Sequence, residues 1–158
     1  MRVWSGRFAT LVALGGLSLA PSPAGAEIDP GVRAGFYSDA SEGFVGIELL
    51  TGITGRWYFN PNLEYVFVDN GSLWTLNGDV HYDLETGTPF AVWLGGGLAA
   101  IFSEVDLPRG RSEDDTEIGL NLLAGGGAKR GAIRPYLQGK LVIADNTEAV
   151  IAFGLRFH

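Results

Sequence analysis

The chain contains no cysteine. A disulfide framework, a Cys-ligated zinc and a Cys nucleophile are therefore excluded. Positive charge is scarce: 11 Lys and Arg stand against 18 Asp and Glu, a formal net charge of −7. Nucleic acid is a poor partner for such a chain, since phosphate binding needs a basic face. Long apolar runs are missing too. No stretch after residue 26 reaches the length of a membrane-spanning helix, and helical periodicity is absent. Glycine, by contrast, is abundant, with 24 residues in 158. It shows no Gly-X-Y period, so a collagen-like chain is ruled out. The 9 Phe, 5 Tyr and 4 Trp are too many for a disordered chain. The length suits a single domain.

Residues 1–26 read as a cleaved signal peptide. Arg2 and Arg7 form a positive start without an acid, residues 8–20 are apolar, and Ala24-Gly25-Ala26 matches an A-x-A cleavage site. The apolar run is too short to span about 30 Å of hydrocarbon, which takes about 20 residues. Cleavage leaves residues 27–158 with 9 basic and 18 acidic residues.

That remainder alternates with a period of two nearly throughout, the period of a strand with two different faces. Trp74, Leu76, Val80, Tyr82 and Leu84 share one face, and Thr75, Asn77, Asp79, His81 and Asp83 the other. Turn signals such as Asp69-Asn70-Gly71-Ser72 and Lys129-Arg130-Gly131 separate the runs. Eight strands are expected, at 32–38, 44–52, 56–69, 73–85, 90–103, 116–128, 132–144 and 148–157. Pro61 interrupts the third. Read as a turn it would leave two pieces shorter than the 9–11 residues of a tilted membrane strand, so a bulge is expected there. Residues 104–117, with six acids and two arginines, are expected to form a solvated surface loop.

The two faces differ in kind. One is hydrocarbon and aromatic, with Trp57, Phe59, Trp74, Tyr82, Phe90, Phe153 and Phe157 falling near strand ends, as interfacial girdles do. The other holds small residues and scattered charges, which suits a narrow, filled lumen. Such an apolar exterior exceeds any normal exposed patch on a soluble monomer. A closed barrel is also the one sheet that satisfies its backbone in lipid. With residue 27 on the short-turn side, the connections near 39–43, 70–72, 104–115 and 145–147 fall on the other side. Long outer loops and short periplasmic turns are the expected pattern.

On these features the sequence resembles the small outer-membrane β-barrels of the OmpA/OmpX type, within the porin-like barrel family. The resemblance covers 27–158 and rests also on the last strand, residues 149–157, which ends at Phe157 with His158 following. It implies an all-β fold, an eight-stranded antiparallel up-and-down transmembrane barrel in a Gram-negative cell envelope. It implies contact with outer-membrane lipid and lipopolysaccharide, and insertion by the barrel-assembly machinery through the C-terminal strand. It implies a structural or surface-interaction role; no enzymatic activity, cofactor or metal is expected, because the sequence places no nucleophile or second His with His81.

The lumen carries the candidate site. Arg33, Glu48, Glu64, Asp79, His81, Asp83, Glu117, Arg134, Lys140 and Arg156 all fall on the inward register. Buried charges must pair, so an ion-pair network plugging the barrel is expected, with a narrow solute or ion path as the alternative. His81 between Asp79 and Asp83 has the makings of a general base or metal ligand. No second His or nucleophile is placed with it, and a satisfied lumen histidine is the plainer reading. Terminal His158 reads as solvated. The Gly95-Gly96-Gly97 and Gly125-Gly126-Gly127 runs lack the Gly-Lys-Ser/Thr of a phosphate loop and read as places of tight bending or close packing. The alternative architecture is a soluble periplasmic lipocalin-like barrel, with the apolar face turned inward around a small apolar ligand.

Overall fold

Each of the eight alternating runs is a strand. The computed structural model describes residues 27–38, 42–69, 71–107 and 111–158. The expected signal peptide, parts of the turns near 39–43 and 70–72, and Arg109 lie outside the described residues. The strands are β1 (Ile28–Tyr37), β2 (Glu42–Thr54), β3 (Trp57–Val66), β4 (Gly71–Leu84), β5 (Phe90–Leu107), β6 (Arg111–Ala128), β7 (Ile133–Ile143) and β8 (Thr147–Phe157). Each pairs antiparallel with its sequence neighbours, and β1 pairs with β8 from Gly31↔Arg156 to Tyr37↔Val150, closing the barrel. Closure removes the edges that an open sheet would leave unpaired.

The faces sort as the alternation requires. From Tyr136 along β7 and from Val150 along β8 every second residue is buried, and the ones between are exposed or partly so. Ile47, Leu76, Leu98, Ile118, Leu137 and Ile151 all project outward and are half exposed or more. The apolar face therefore lies outside, and an apolar ligand cavity inside a lipocalin-like barrel does not fit this chain. The start of β1 and the end of β8 sit at one end of the barrel, the turn end, with the connections at 55–56, 85–89 and 129–132. The outer end carries those at 38–41, 67–70, 108–110 and 144–146. Gly55 shows why the turns stay tight. With Arg56 it closes a two-residue hairpin between Thr54 and Trp57, at φ +56°, a region a glycine enters freely.

Two expectations are corrected. The acidic stretch is not a long loop: β5 and β6 continue through it, pairing from Ser103↔Asp115 to Leu107↔Arg111. Backbone pairing alone sustains a ladder, so polar composition does not end it. Outer connections are consequently as short as the turns, and the two ends differ in strand overhang instead. Residues 111–119 pair with β5 alone, because the β6–β7 ladder begins at Leu120↔Ile143.

Pro61 is not a bulge either. The β2–β3 register runs unshifted on both sides of it and shifts only between Gly52 and Thr54, beside the turn. The Phe67 N–H donates to the Gly43 carbonyl at 2.8 Å, and hydrogen-bonded pairs recur at every second residue of an antiparallel ladder. Leu49 opposite Pro61 is thus a hydrogen-bonded position whose donor proline lacks. Asn60 Nδ2 supplies it, donating to the Leu49 carbonyl at 2.9 Å. A side chain replaces the missing backbone donor, so the strand has no need to bulge.

Candidate functional site: the barrel lumen

The inward face stacks three layers. At the outer end Tyr37, Phe44, Val66, Ala99, Val142, Val150 and Ala152 form a buried apolar cluster, with Leu73 and Ile101 packed against it. The inward face is expected from sequence to hold small residues and an ion-pair network. This layer departs from that, because the inward residues near the outer strand ends are apolar too.

The middle layer is charged and buried. Arg33, Lys140 and Arg156 stand with Glu48, Glu64 and Asp79, each at most 6% exposed. Charge is balanced, three against three. Glu64 is one hub. Arg33 Nε lies 3.2 Å and Lys140 Nζ 3.3 Å from its Oε1. Tyr37 donates to its Oε2 at 2.6 Å and Thr75 at 3.0 Å. Glu48 is the other, with Arg156 Nε at 2.9 Å, Arg33 Nη1 at 3.5 Å and Asn60 Nδ2 at 3.1 Å. Asp79 faces no cation at pairing distance among the described residues. It accepts from Asn62 Nδ2 at 3.1 Å and Asn121 Nδ2 at 2.8 Å, which spreads its charge over amide dipoles. Carboxylates come from β2, β3 and β4, cations from β1, β7 and β8, so the network ties opposite walls of the barrel together.

The layer at the turn end is aromatic. His81 is stacked between Tyr58 and Trp93, with centroids 5.5 Å and 5.4 Å away, and its Nε2 lies 3.5 Å from Asp83 Oδ1. Asp79 is held by its amides, so the His81 ring faces one carboxylate. No group of three His, Cys, Asp or Glu that could hold a metal occurs among the described residues. Trp93 Nε1 donates to Gln138 Oε1 at 3.2 Å. The glycine runs make room for these rings by close packing: a Cβ on Gly125 would stand 2.6 Å from the Trp93 ring, one on Gly127 2.5 Å from Tyr136 Cβ, and one on Gly95 2.6 Å from His81 Cβ.

The remaining candidates sit at the two mouths. Glu117, half buried at the outer end, accepts the Asp145 backbone N–H. Arg134 at the turn end pairs with Asp29 at 2.6 Å. His158 is not merely solvated: it bridges Glu27 and Asp29 at 3.0 Å and 2.8 Å, fastening the last residue to the start of β1. The exterior aromatics Trp57, Phe59, Tyr82, Phe90 and Phe157 gather at the turn end and Trp74 near the outer end. Phe153, expected near a strand end, stands in mid-strand opposite Ala34 and Leu137.

The candidate lumen residues named from sequence are all charged or histidine, and leave out the amides and rings on the same face. Asn60, Asn62, Asn77, Asn121, Gln138, Trp93 and Tyr136 are all buried on the same inward register. The period-two count alone would have found them.

Neither a protein-family model nor any curated protein matches the chain. Solved structures do. Neisserial surface protein A aligns with 84% of this chain and 98% of its own at 18% identity and a TM-score of 0.67. The N-terminal β-barrel domain of Pseudomonas aeruginosa OprF aligns over the same shares at 13% identity and 0.67. Ail, the attachment invasion locus protein of Yersinia pestis, solved with the heparin analogue sucrose octasulfate, aligns over 84% and 97% at 9% identity and 0.64. With its closed eight-stranded barrel and outward apolar face, the chain has the fold of the small outer-membrane β-barrel proteins.

Proposed function

We propose that the chain is an integral outer-membrane protein, exported by residues 1–26 and inserted through its C-terminal strand. Its role is structural or one of surface contact, not catalytic, in a layer of lipid and lipopolysaccharide. The exterior carries this reading. Large apolar side chains cover every strand outside, and only hydrocarbon is a suitable solvent for that surface. The outer overhang of β5 and β6 offers the surface for contact. It belongs to a stretch with six acids and two arginines between 104 and 117, so a sulfated polyanion of the kind held by Ail does not suit it.

Brominated lipid tests the placement. In vesicles carrying bromine on the acyl chains, fluorescence of Trp57 and Trp74, exposed outside at 46% and 43%, is expected to be strongly quenched. Trp93, buried in the lumen at 2%, is expected to keep most of its emission. Equal quenching of all three, or of none, overturns the reading.

The lumen is read as closed. A conducting path would have to cross the apolar outer layer and the paired charges beneath it, in a lumen just wide enough at eight strands for side chains to fill or for one small ligand. Planar bilayers holding the purified protein are expected to show no discrete conductance steps. Regular steps would favour the narrow pore.

A further inference from the structure

At the outer end a long edge of backbone stays open. β5 and β6 rise together past β7, and β6 pairs with β7 only from Leu120↔Ile143 inward. Over residues 111–119 the second edge of β6 meets no strand among the described residues. At about 3.4 Å per residue this edge is about 30 Å long.

The register assigns its hydrogen-bonding groups. The Lys129 N–H donates to the Pro89 carbonyl at 3.0 Å. That pair lies one step beyond Phe90↔Ala128, and the β5–β6 register runs unshifted from there to Leu107↔Arg111. Bonded pairs recur at every second residue, so the odd-numbered residues of β6 are bonded to β5. The even-numbered ones turn their N–H and C=O away from it. From Leu120 inward those groups meet β7. At Ser112, Asp114 and Thr116 they meet no backbone among the described residues. Thr116 shows this directly: its N–H donates to the exposed side chain of the adjacent residue, Asp115 Oδ1, at 2.9 Å.

An open edge is a template for an added strand, and the charges on it select the strand. Glu113, Asp114, Asp115 and Glu117 stand on this edge with one base, Arg111. β5 sets Glu104 and Asp106 beside them, opposite Asp114 and Ser112. Charges commonly keep strand edges from joining one another. Here they act against a second copy of this chain, which would lay acid against acid, an unfavourable cross-strand pairing. The same charges admit a strand rich in Lys or Arg. Specificity comes from the repulsion as much as from the attraction.

We propose that the open edge of β6 takes up an extended basic segment of another protein as an added strand, resting on the reading of this end as the outward-facing contact surface. The backbone of the segment bonds to Ser112, Asp114 and Thr116, and its Lys or Arg side chains lie among the acids.

A fluorescent ten-residue peptide of alternating lysine and threonine is a suitable probe, about as long as the edge. It is titrated into the folded barrel, residues 27–158, in neutral maltoside micelles and followed by anisotropy. Saturable binding is expected, weakened by added salt. A glutamate–threonine peptide is expected not to bind. The lysine–threonine peptide N-methylated at every residue keeps its charge and loses its backbone donors, and its Kd is expected to rise about tenfold or more. Thr116→Pro removes one donor from the open edge and none from the β5–β6 ladder, a place where a strand tolerates proline. Its Kd is expected to rise several-fold. Glu113→Gln with Asp115→Asn leaves the backbone untouched and is expected to raise the Kd by a similar factor. The heat-dependent gel shift shows that both variants are folded. No saturation at millimolar peptide, equal binding of the N-methylated or the glutamate peptide, or an unchanged Kd in Thr116→Pro overturns the proposal. Micelles make the titration independent of membrane placement, which brominated-lipid quenching judges separately. Quenching as expected without peptide binding removes the added strand and leaves the membrane reading in place. Peptide binding without that quenching keeps the open edge and removes its outward placement.

Discussion

Glu64→Gln is expected to destabilise the barrel by about 3–5 kcal/mol, the cost of leaving a buried charge without its partner. Glu64 is fully buried and shared by Arg33 and Lys140. The amide removes the charge both cations face. It also puts an N–H₂ group where Tyr37 and Thr75 now donate hydrogen bonds, so donors would meet donors. The urea midpoint for unfolding in micelles reads the loss directly. The difference in gel mobility between boiled and unboiled samples, usual for closed membrane barrels, reports whether the barrel still closes. Adding Lys140→Met to Glu64→Gln removes one stranded cation and is expected to recover part of the midpoint. If Glu64→Gln unfolds at the wild-type midpoint, the network does not hold the walls together.

Gly35→Val is expected to have an effect of similar size through geometry rather than charge. A Cβ at this position would stand 1.9 Å from the Ile151 carbonyl oxygen and 2.7 Å from Phe44 Cε1. The first neighbour is backbone, which cannot swing aside as a side chain does. It belongs to β8, so the clash falls on the seam where the last strand meets the first. Overpacking in a well-ordered interior costs about 1–3 kcal/mol, and a backbone clash at the closing pair belongs at or above the top of that range. The fraction running as the unboiled, compact band should fall, and amides of β1 and β8 should exchange faster than those of β4 and β5. Gly78→Ala is the control. Its Cβ would meet only the Phe59 ring, at 3.7 Å and beyond, and the compact fraction should not change. Equal behaviour of the two variants would show that the seam tolerates the extra atoms.

Much of this architecture was legible because strand parity is local. Each residue's face follows from its neighbours along the chain, so Arg33, Glu48, Glu64, Lys140 and Arg156 could be set inward from sequence alone. Partner choice was not legible. Arg33 is 31 positions from Glu64, and Lys140 is 76; their meeting depends on the curvature of a closed barrel. The outer apolar layer was hidden for a related reason. Phe44, Val66 and Val150 stand where both faces are apolar, and alternation carries no contrast there. The expected loop over 104–115 failed because composition was asked to mark a strand end that backbone pairing decides. The bulge at Pro61 failed because the side chain of the preceding residue took over the lost hydrogen bond.

That last substitution makes the two faces of β3 interdependent. Pro61 faces outward and Asn60 inward, yet one carbonyl, that of Leu49, depends on both. In hydrocarbon an unsatisfied carbonyl costs several kcal/mol, and no water is at hand to absorb it. Any residue other than proline at position 61 would bring its own N–H and free Asn60 from the duty. While proline remains, position 60 is restricted to side chains long enough and polar enough to donate there. Changes on the lipid side and changes on the lumen side therefore cannot accumulate independently at this point of the wall, and divergence at one position should be accompanied by divergence at the other.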